Sequence, residues 1–286
     1  MVLPRAQVSL RRQTVGRMAR SRGARVGAVV LVLLSMLAVF AAYLAPYDPL
    51  AIDPGSALQS PGFAHFFGTD QFGRDVYSRV LYGASISLLI GLISVSIASL
   101  GGVTSGLISG YYGGWADTLL MRTIDVMLAF PGILLSLVIV SMLGPSITNL
   151  MIAVGISSIP GYARLTRGSV LSAREELYVE SARAVGVPDG LILVRHILPN
   201  IVAPLIVAAT LGVGSAILSA AALSFIGLGS QPPSPEWGRM LSEGRQYLRD
   251  QWWIATCPGL MIMLAVLAMN LMGDGLRDAL DPRLKN

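Results

Sequence analysis

The stretch VGAVVLVLLSMLAVFAAYLA at residues 26–45 decides the class of fold, because it opens a run of 22 residues, Val26 to Tyr47, without a formal charge. A helix that crosses the roughly 30 Å hydrocarbon core of a bilayer needs about 20 apolar residues. The run also exceeds the apolar part of a cleaved signal peptide, and no Ala-x-Ala site follows it. We therefore expect it to form the first membrane crossing and to stay in place as an anchor.

Composition extends this interpretation to the whole chain of 286 residues. Apolar residues make up 53% and charged residues 13%, about half of the roughly 25% found in soluble domains. So few charges exclude both a water-soluble surface and an intrinsically disordered chain. The single cysteine, Cys257, excludes an internal disulfide and a cysteine-based zinc cluster. We expect a polytopic membrane protein.

Four further charge-free intervals predict five more crossings, because one of them is broken near its middle by Gly144-Pro145-Ser146. The six predicted spans are 26–47, 84–109, 118–143, 146–163, 200–226 and 252–273, with an Arg-rich tail at 1–25, an outer loop at 48–83 and an inner loop at 164–199 within a core at 84–286. Small residues on the second and fifth spans predict close helix packing.

Orientation follows from the basic residues, since cytoplasmic loops are enriched in Lys and Arg. With the N-terminus inside, 16 basic residues fall on the inner side and five on the outer side. This distribution predicts that both the N-terminus and the C-terminus lie in the cytoplasm. It also interprets the net charge of +5 as a membrane signal rather than as a nucleic-acid surface.

Residues suited to catalysis are scarce. The two histidines, His65 and His196, fall in loops of opposite sides, and the only lysine, Lys285, follows no glycine-rich phosphate-binding loop. The chain is therefore predicted to have no catalytic residue, no metal site and no ATPase site of its own. If transport uses ATP, a partner chain hydrolyses it.

The inner loop is predicted to form a helix over Leu165–Ala184, a chain reversal at Gly186 and a second helix that begins near Pro188 and Asp189. Two helices folded about a glycine are consistent with a docking element. An amphipathic loop lying on the membrane and a DNA-reading helix-turn-helix are the alternatives.

The same loop resembles the EAA loop of ABC importer permeases, whose pattern is Glu-Ala-Ala-x3-Gly-x9-Ile-x-Leu-Pro. The matching residues are Glu180, Ala182, Gly186, Leu198 and Pro199, while Ser181 and His196 depart from the pattern. The resemblance implies that this loop inserts into a cytoplasmic ATPase subunit, with Glu180 and Gly186 as coupling residues. It also implies that the partner subunits bind ATP and Mg, and that this chain has no cofactor.

Other segments are similar to the second, C-type permease subunit of dipeptide, oligopeptide and nickel ABC importers. They are APYDP at 45–49, FGTDQFGRDVYSRVLYGASISL at 67–88, DVMLAFPG at 125–132, LSFIGLGSQPPSPEWGRML at 223–241 and NLMGDGLRDALDPRL at 270–284; Ser85 stands where this branch carries Arg. The resemblance implies an all-α type I permease fold that pairs with a homologous permease as a heterodimer. It further implies cytoplasmic ATPases, an extracytoplasmic substrate-binding protein and surrounding lipid as partners, and no nucleic acid.

Peptide import is the function that this resemblance favours, with nickel or another small solute as the alternative cargo. An ion-coupled secondary carrier is an alternative from a different class, but such a carrier is expected to place ionisable groups near mid-membrane. The one acidic residue well inside a predicted span is Asp125, and it lies off centre. A membrane enzyme is the third alternative, which the histidine positions disfavour.

Several residues in or near the predicted spans allow two interpretations each. Asp125 needs a partner, and Arg122 on the same helix face is the candidate, either as a packed ion pair or as part of a gate. Pro131 is predicted to kink that helix, for packing or as a hinge. Asn270 and Asp274, one turn apart, are predicted either to line a polar pathway or to pack between helices.

Trp237 is predicted to lie at the outer membrane interface.

Overall fold

The computed structural model describes residues 21–280, and within this range the chain is almost entirely helical without a β-strand. Its helices are α1 (Arg22–Val39), α2 (Ala41–Leu44), α3 (Val76–Tyr112), α4 (Gly114–Leu128), α5 (Gly132–Leu143), α6 (Ile147–Ala173), α7 (Leu177–Ala184), α8 (Asp189–Ile192), α9 (Leu198–Phe225), α10 (Trp237–Gly244) and α11 (Trp253–Leu280). A π-helical turn, Leu193–Ile197, joins α8 to α9. The predicted tail at 1–25 lies mostly outside the described residues.

Four helical segments are long and apolar enough to cross a membrane: α1, α3, α11 and the continuous segment Asp189–Phe225 that contains α9. The pair α4 and α5 passes the same test together, and it bends by 91° between its two halves. The fourth predicted crossing, 146–163, lies in α6, which has 27 residues but carries Arg164 and Arg167 in its second half. The structure thus supports four or five candidate spans by length and composition, and six spans remain a prediction.

Helix α3 is longer than the predicted span 84–109. It begins at Val76 because the carboxylate of Asp75 accepts a hydrogen bond from the backbone N–H of Ser78 at 2.7 Å, an N-cap. It ends at Tyr112 because Gly113 adopts a φ of +65°, which a residue with a Cβ rarely adopts. Gly110 and Tyr111, which follow the end of the predicted span, are therefore helical.

The centre of the bundle is the contact between α3 and α6. A Cβ atom added to Gly106 would lie 2.5 Å from Cβ of Thr166, and one added to Gly110 would lie 2.9 Å from Cβ of Val170. Glycine lets the two backbones approach at these points, as the small residues of the second span predict. The buried core extends from this contact to α9 and α11.

Trp237 corrects a prediction made from the sequence. Its side chain is fully buried, and its indole N–H donates to the carbonyl oxygen of Val80 at 3.0 Å. The indole packs against Gly83, where a side chain would collide with it. Trp237 therefore fastens α10 to α3, and its buried side chain contacts neither lipid nor water in this structure.

Candidate functional site

The segment that joins α6 to α9 is the candidate docking element. The predicted helix Leu165–Ala184 is interrupted: α6 ends at Ala173, and α7 begins only at Leu177. The break reorients α7, so that the segment is a compact hairpin of α7 and α8 rather than an extension of a spanning helix. Its buried face includes Val179, Ala182 and Ile192. These residues belong to a second core, a cluster of buried apolar residues separate from the main core of the bundle.

Gly186 makes the chain reversal between α7 and α8, as its position predicts. Its φ is +79°, its N–H donates to the carbonyl of Arg183 at 2.9 Å, and the N–H of Val187 donates to the carbonyl of Ala182 at 3.1 Å. This is the Schellman pattern that ends a helix with a left-handed residue. A Cβ at Gly186 would meet nothing within 4 Å, so the requirement for glycine here is conformational and not steric.

The five residues that match the EAA pattern do not converge on one point. Glu180, Gly186 and Pro199 are exposed, Leu198 is half-buried and Ala182 is buried in the second core. Next to Glu180 and Gly186, the apolar side chains of Leu177 and Val185 are 78% and 79% exposed. The hairpin thus presents an exposed surface that combines apolar groups with a carboxylate. Ala182 is not part of this surface, because its side chain packs in the buried cluster behind it.

Tyr111, at the end of α3, anchors the hairpin to the bundle. Its hydroxyl donates to Oδ1 of Asp189 at 2.6 Å and accepts from Nε of Arg183 at 3.4 Å, while the guanidinium of Arg183 lies 5.1 Å from the ring centroid. The hydrogen bond with Tyr111 raises the pKa of Arg183 above its ordinary value. Arg174 adds a bond from Nη1 to the carbonyl of Gly110 at 3.0 Å. Sequence reasoning missed this anchor because its partners are more than 60 residues apart.

Asp125 pairs with a different arginine from the one predicted. Nη2 of Arg164, on α6, donates to Oδ1 of Asp125 at 2.6 Å, and Arg122 forms no ion pair among residues 21–280. The antiparallel α6 brings Arg164 across to Asp125, whereas Arg122 is an exposed residue of α4. Both paired side chains are more than half exposed in this chain.

A second ion pair joins α4 to α6 closer to the end of α3. Nε and Nη2 of Arg167 each donate to one carboxylate oxygen of Asp117 at 2.7 Å, a bidentate pair. The hydroxyl of Ser109 donates to the same carboxylate. Together the two pairs hold α4 along α6.

Pro131 stands at the bend between α4 and α5, where the sequence predicts a kink. It has no N–H to donate, and the helix stops at Leu128 and restarts at Gly132. The 91° bend changes the direction of the chain between α4 and α5. Phe130 in the bend and Leu134 and Val138 on α5 are each about half exposed.

Asn270 and Asp274 are both exposed on α11 and make no side-chain hydrogen bond within residues 21–280. A Cβ at Gly214 of α9 would lie 3.6 Å from Oδ1 of Asn270, so this amide faces the fifth predicted span. No cluster of three or more His, Cys, Asp or Glu residues suited to a metal ion occurs in the described part of the chain.

A bundle of long apolar helices with an exposed helical hairpin between two of them is the architecture of a transport permease. The chain belongs to the family described as the binding-protein-dependent transport system inner membrane component, which matches residues 102–286. Residues 9–61 match the N-terminal transmembrane domain of oligopeptide transport permease C. These matches confirm the resemblance noted above and place the protein among inner-membrane permeases.

Several relatives are similar over almost the whole chain. The dipeptide transport system permease protein DppC of Alkalihalophilus pseudofirmus is 48% identical over 98% of this chain and 92% of its own length. The di/tripeptide permease DppC of Pseudomonas aeruginosa is 48% identical (94% and 90%), and the glutathione permease GsiD of Escherichia coli is 49% identical (94% and 89%). Among solved structures, an inward-facing MetNI methionine ABC transporter is similar in fold, with a TM-score of 0.57, 17% identity, and coverage of 71% of this chain and 96% of that chain.

Proposed function

We propose that this protein is the C-type permease subunit of an ATP-driven importer that moves dipeptides and oligopeptides across the cytoplasmic membrane. Relatives named for dipeptide, di/tripeptide and glutathione transport, each close to half identical over at least nine-tenths of this chain, support this class of cargo. In the proposed arrangement the chain crosses the membrane six times, with both termini in the cytoplasm. The excess of basic residues on that side supports this orientation.

The observation that carries the proposal is the hairpin of α7 and α8. It lies between two spanning segments, exposes Glu180 beside Leu177 and Val185, and is tied through Tyr111 to the end of α3. A surface of this kind suits a partner protein, because its exposed apolar groups are unfavourable in water and its carboxylate gives specificity. We assign that partner as a cytoplasmic ATPase subunit, which would bind ATP and Mg.

The other proposed partners would cover surfaces that are exposed when this chain is alone. Asp125 and Arg164 lie on helices proposed to cross the membrane, and more than half of each side chain is exposed. Charged groups are costly against lipid, so we propose that this face meets the second permease or a water-filled pathway between the two permeases. Asn270 and Asp274 are proposed to face the same polar route. A substrate-binding protein would deliver cargo to the opposite, outer end.

In this proposal, direct contacts transmit movement of the hairpin to the membrane-spanning helices. ATP binding favours the closed ATPase dimer, and two docked hairpins would then move together with it. Because Tyr111 and Arg174 tie the hairpin to α3, and α3 packs against α6 through glycines, movement of the hairpin displaces whole helices. ATP thus acts as a ligand that shifts the population between inward-facing and outward-facing states.

Co-purification and uptake test this proposal. Glu180→Arg and Gly186→Trp are expected to release the ATPase subunits from detergent-solubilised complexes and to abolish ATP-dependent peptide uptake in proteoliposomes. Glu176→Arg, which makes the same change of charge at an exposed position outside the EAA pattern and removes no side-chain hydrogen bond or ion pair within residues 21–280, is the control. Retention of both ATPases and of uptake in the Glu180 and Gly186 variants contradicts the docking assignment, and absence of peptide uptake by the wild type contradicts the cargo.

A further inference from the structure

A polar cavity of about 360 Å³ lies at the end of α9, on the side proposed to be extracytoplasmic. Its walls come from three parts of the chain: the loop before α3, the last turn of α9 and the segment from α10 to the following turn. Its lining includes Gln71, Phe225, Arg239, Glu243, Arg245 and Gln246. The volume falls in the range of small-molecule sites, about 300 to 1,000 Å³.

Arg239 and Glu243 in the cavity wall belong to a largely buried network of charged side chains, in which the carboxylates already accept several hydrogen bonds. Oε2 of Glu243 accepts from Arg74 at 2.8 Å and from Arg79 at 3.3 Å, and its Oε1 accepts from Arg239 at 3.3 Å. The carboxylate of Asp70 accepts from Nε of Arg74 at 2.6 Å. Three guanidinium groups therefore share these two carboxylates, and the buried Glu236, which interacts electrostatically with Arg239, is the third acidic group of the network.

Arg245 adds a further positive charge at the wall and has no carboxylate to bind. Its guanidinium lies 5.9 Å from the ring centroid of Phe225, and it forms no ion pair within residues 21–280. Glu243 is fully occupied by other arginines. The field in the cavity is positive, which favours an anionic ligand.

Arg245 is accessible to a ligand in the cavity, because this lining residue is exposed. Oε1 of Gln71, another lining residue, is buried and accepts no hydrogen bond within the described chain, so a ligand does not reach this oxygen in the present conformation. The cavity therefore offers one accessible guanidinium, a group that binds a carboxylate.

We propose that this cavity binds the C-terminal end of a peptide before the peptide enters the bundle, with the guanidinium of Arg245 binding the carboxylate. The inference rests on the proposed function and on its orientation, and it adds an outer cargo site within the permease itself. A guanidinium matches a carboxylate with two parallel hydrogen bonds, which explains arginine at this position.

The test compares the binding of Ala-Ala with that of its C-terminal amide, measured by saturation-transfer NMR. The complete transporter is used in nanodiscs, without the substrate-binding protein. Because the substrate-binding protein is absent, none of its acidic side chains can occupy the cavity. A difference in affinity between the free acid and the amide is then due to the carboxylate of the peptide. We expect the wild type to bind Ala-Ala about tenfold more tightly than the amide, equivalent to about 1.4 kcal/mol. Arg245→Gln is expected to remove this difference, and Arg245→Lys to restore part of it.

Arg249→Gln is the matched control, because it removes an exposed arginine from the same outer segment without touching the cavity. Should Arg245→Gln fail to assemble, Gln246→Glu introduces a negative charge at the cavity wall and is expected to weaken Ala-Ala binding several-fold. The inference is overturned if Arg245→Gln or Gln246→Glu matches Arg249→Gln, or if free acid and amide are affected equally. The proposed function fails separately, when wild-type proteoliposomes take up no peptide.

Discussion

The hydroxyl of Tyr111 donates a hydrogen bond of 2.6 Å to Oδ1 of Asp189, across 78 residues of sequence. This bond joins the last turn of the longest helix in the described chain to the first turn of α8 in the exposed hairpin. Tyr111 itself is only 6% exposed, so the bond is partly shielded from water. It is the shortest side-chain link between the candidate docking element and the bundle.

Tyr111→Phe is expected to uncouple the hairpin from the bundle while leaving the ring packed. The variant loses the bonds to Asp189 and Arg183 and keeps the contact between the guanidinium of Arg183 and an aromatic face. One hydrogen bond contributes about 0.5–1.5 kcal/mol, so the fold should persist. The expected result is a several-fold fall in peptide imported per ATP hydrolysed, with the ATPase subunits still bound.

Tyr112→Phe is the control for that experiment, because the neighbouring tyrosine is 53% exposed and its hydroxyl makes no hydrogen bond within residues 21–280. Equal transport stoichiometry in the two variants would show that the bond of Tyr111 carries no coupling.

Gly186→Ala is expected to destabilise the hairpin through backbone conformation alone. The left-handed region costs an L-residue roughly 1–2 kcal/mol, and the φ of Gly186 is +79°. Gly190→Ala, four residues later in α8, is the control: its added methyl group also meets nothing within 4 Å, and its φ is not positive. The measurement is thermal unfolding in detergent together with retention of the ATPase. A loss of stability as large in the Gly190 variant would exclude the backbone explanation.

The sequence predicted the parts of this protein that local patterns control. The charge-free intervals located the long apolar helices, Pro131 marked the bend, and Gly186 marked the reversal. Contacts between distant segments were not predictable in the same way. Arg122 is near Asp125 in sequence, but the antiparallel packing of α6 brings Arg164 closer, and Trp237 is buried because Gly83, more than 150 residues earlier, leaves space for its ring.

The partner of Asp125 can be tested by exchanging charges. Asp125→Arg combined with Arg164→Asp is expected to recover stability and uptake that either single change reduces, because the pair is rebuilt with opposite polarity. The coupling in detergent should be small, at most about 1 kcal/mol, since both side chains are more than half exposed and solvent screens the pair. The measurement is a double-mutant cycle on the midpoint of thermal unfolding.

Arg122→Gln completes that experiment, because Arg122 is the partner that sequence proximity favours. It is expected to leave both stability and uptake unchanged. Coupling between positions 122 and 125, with none between 125 and 164, would contradict the observed pairing.

Close packing of α3 on α6 predicts that Gly106→Ala is more harmful than its size suggests. The new methyl carbon would lie 2.5 Å from Cβ of Thr166 and 2.6 Å from the carbonyl oxygen of Ala163, so the helices must separate. Overpacking of this kind costs roughly 1–3 kcal/mol, which outweighs the gain of about 0.5–1 kcal/mol from replacing glycine within a helix. Gly161→Ala on α6 meets nothing within 4 Å and should gain that helical stability without a clash. The unfolding midpoints of the two variants should therefore move in opposite directions, and a shift of both in the same direction would contradict the close contact between α3 and α6.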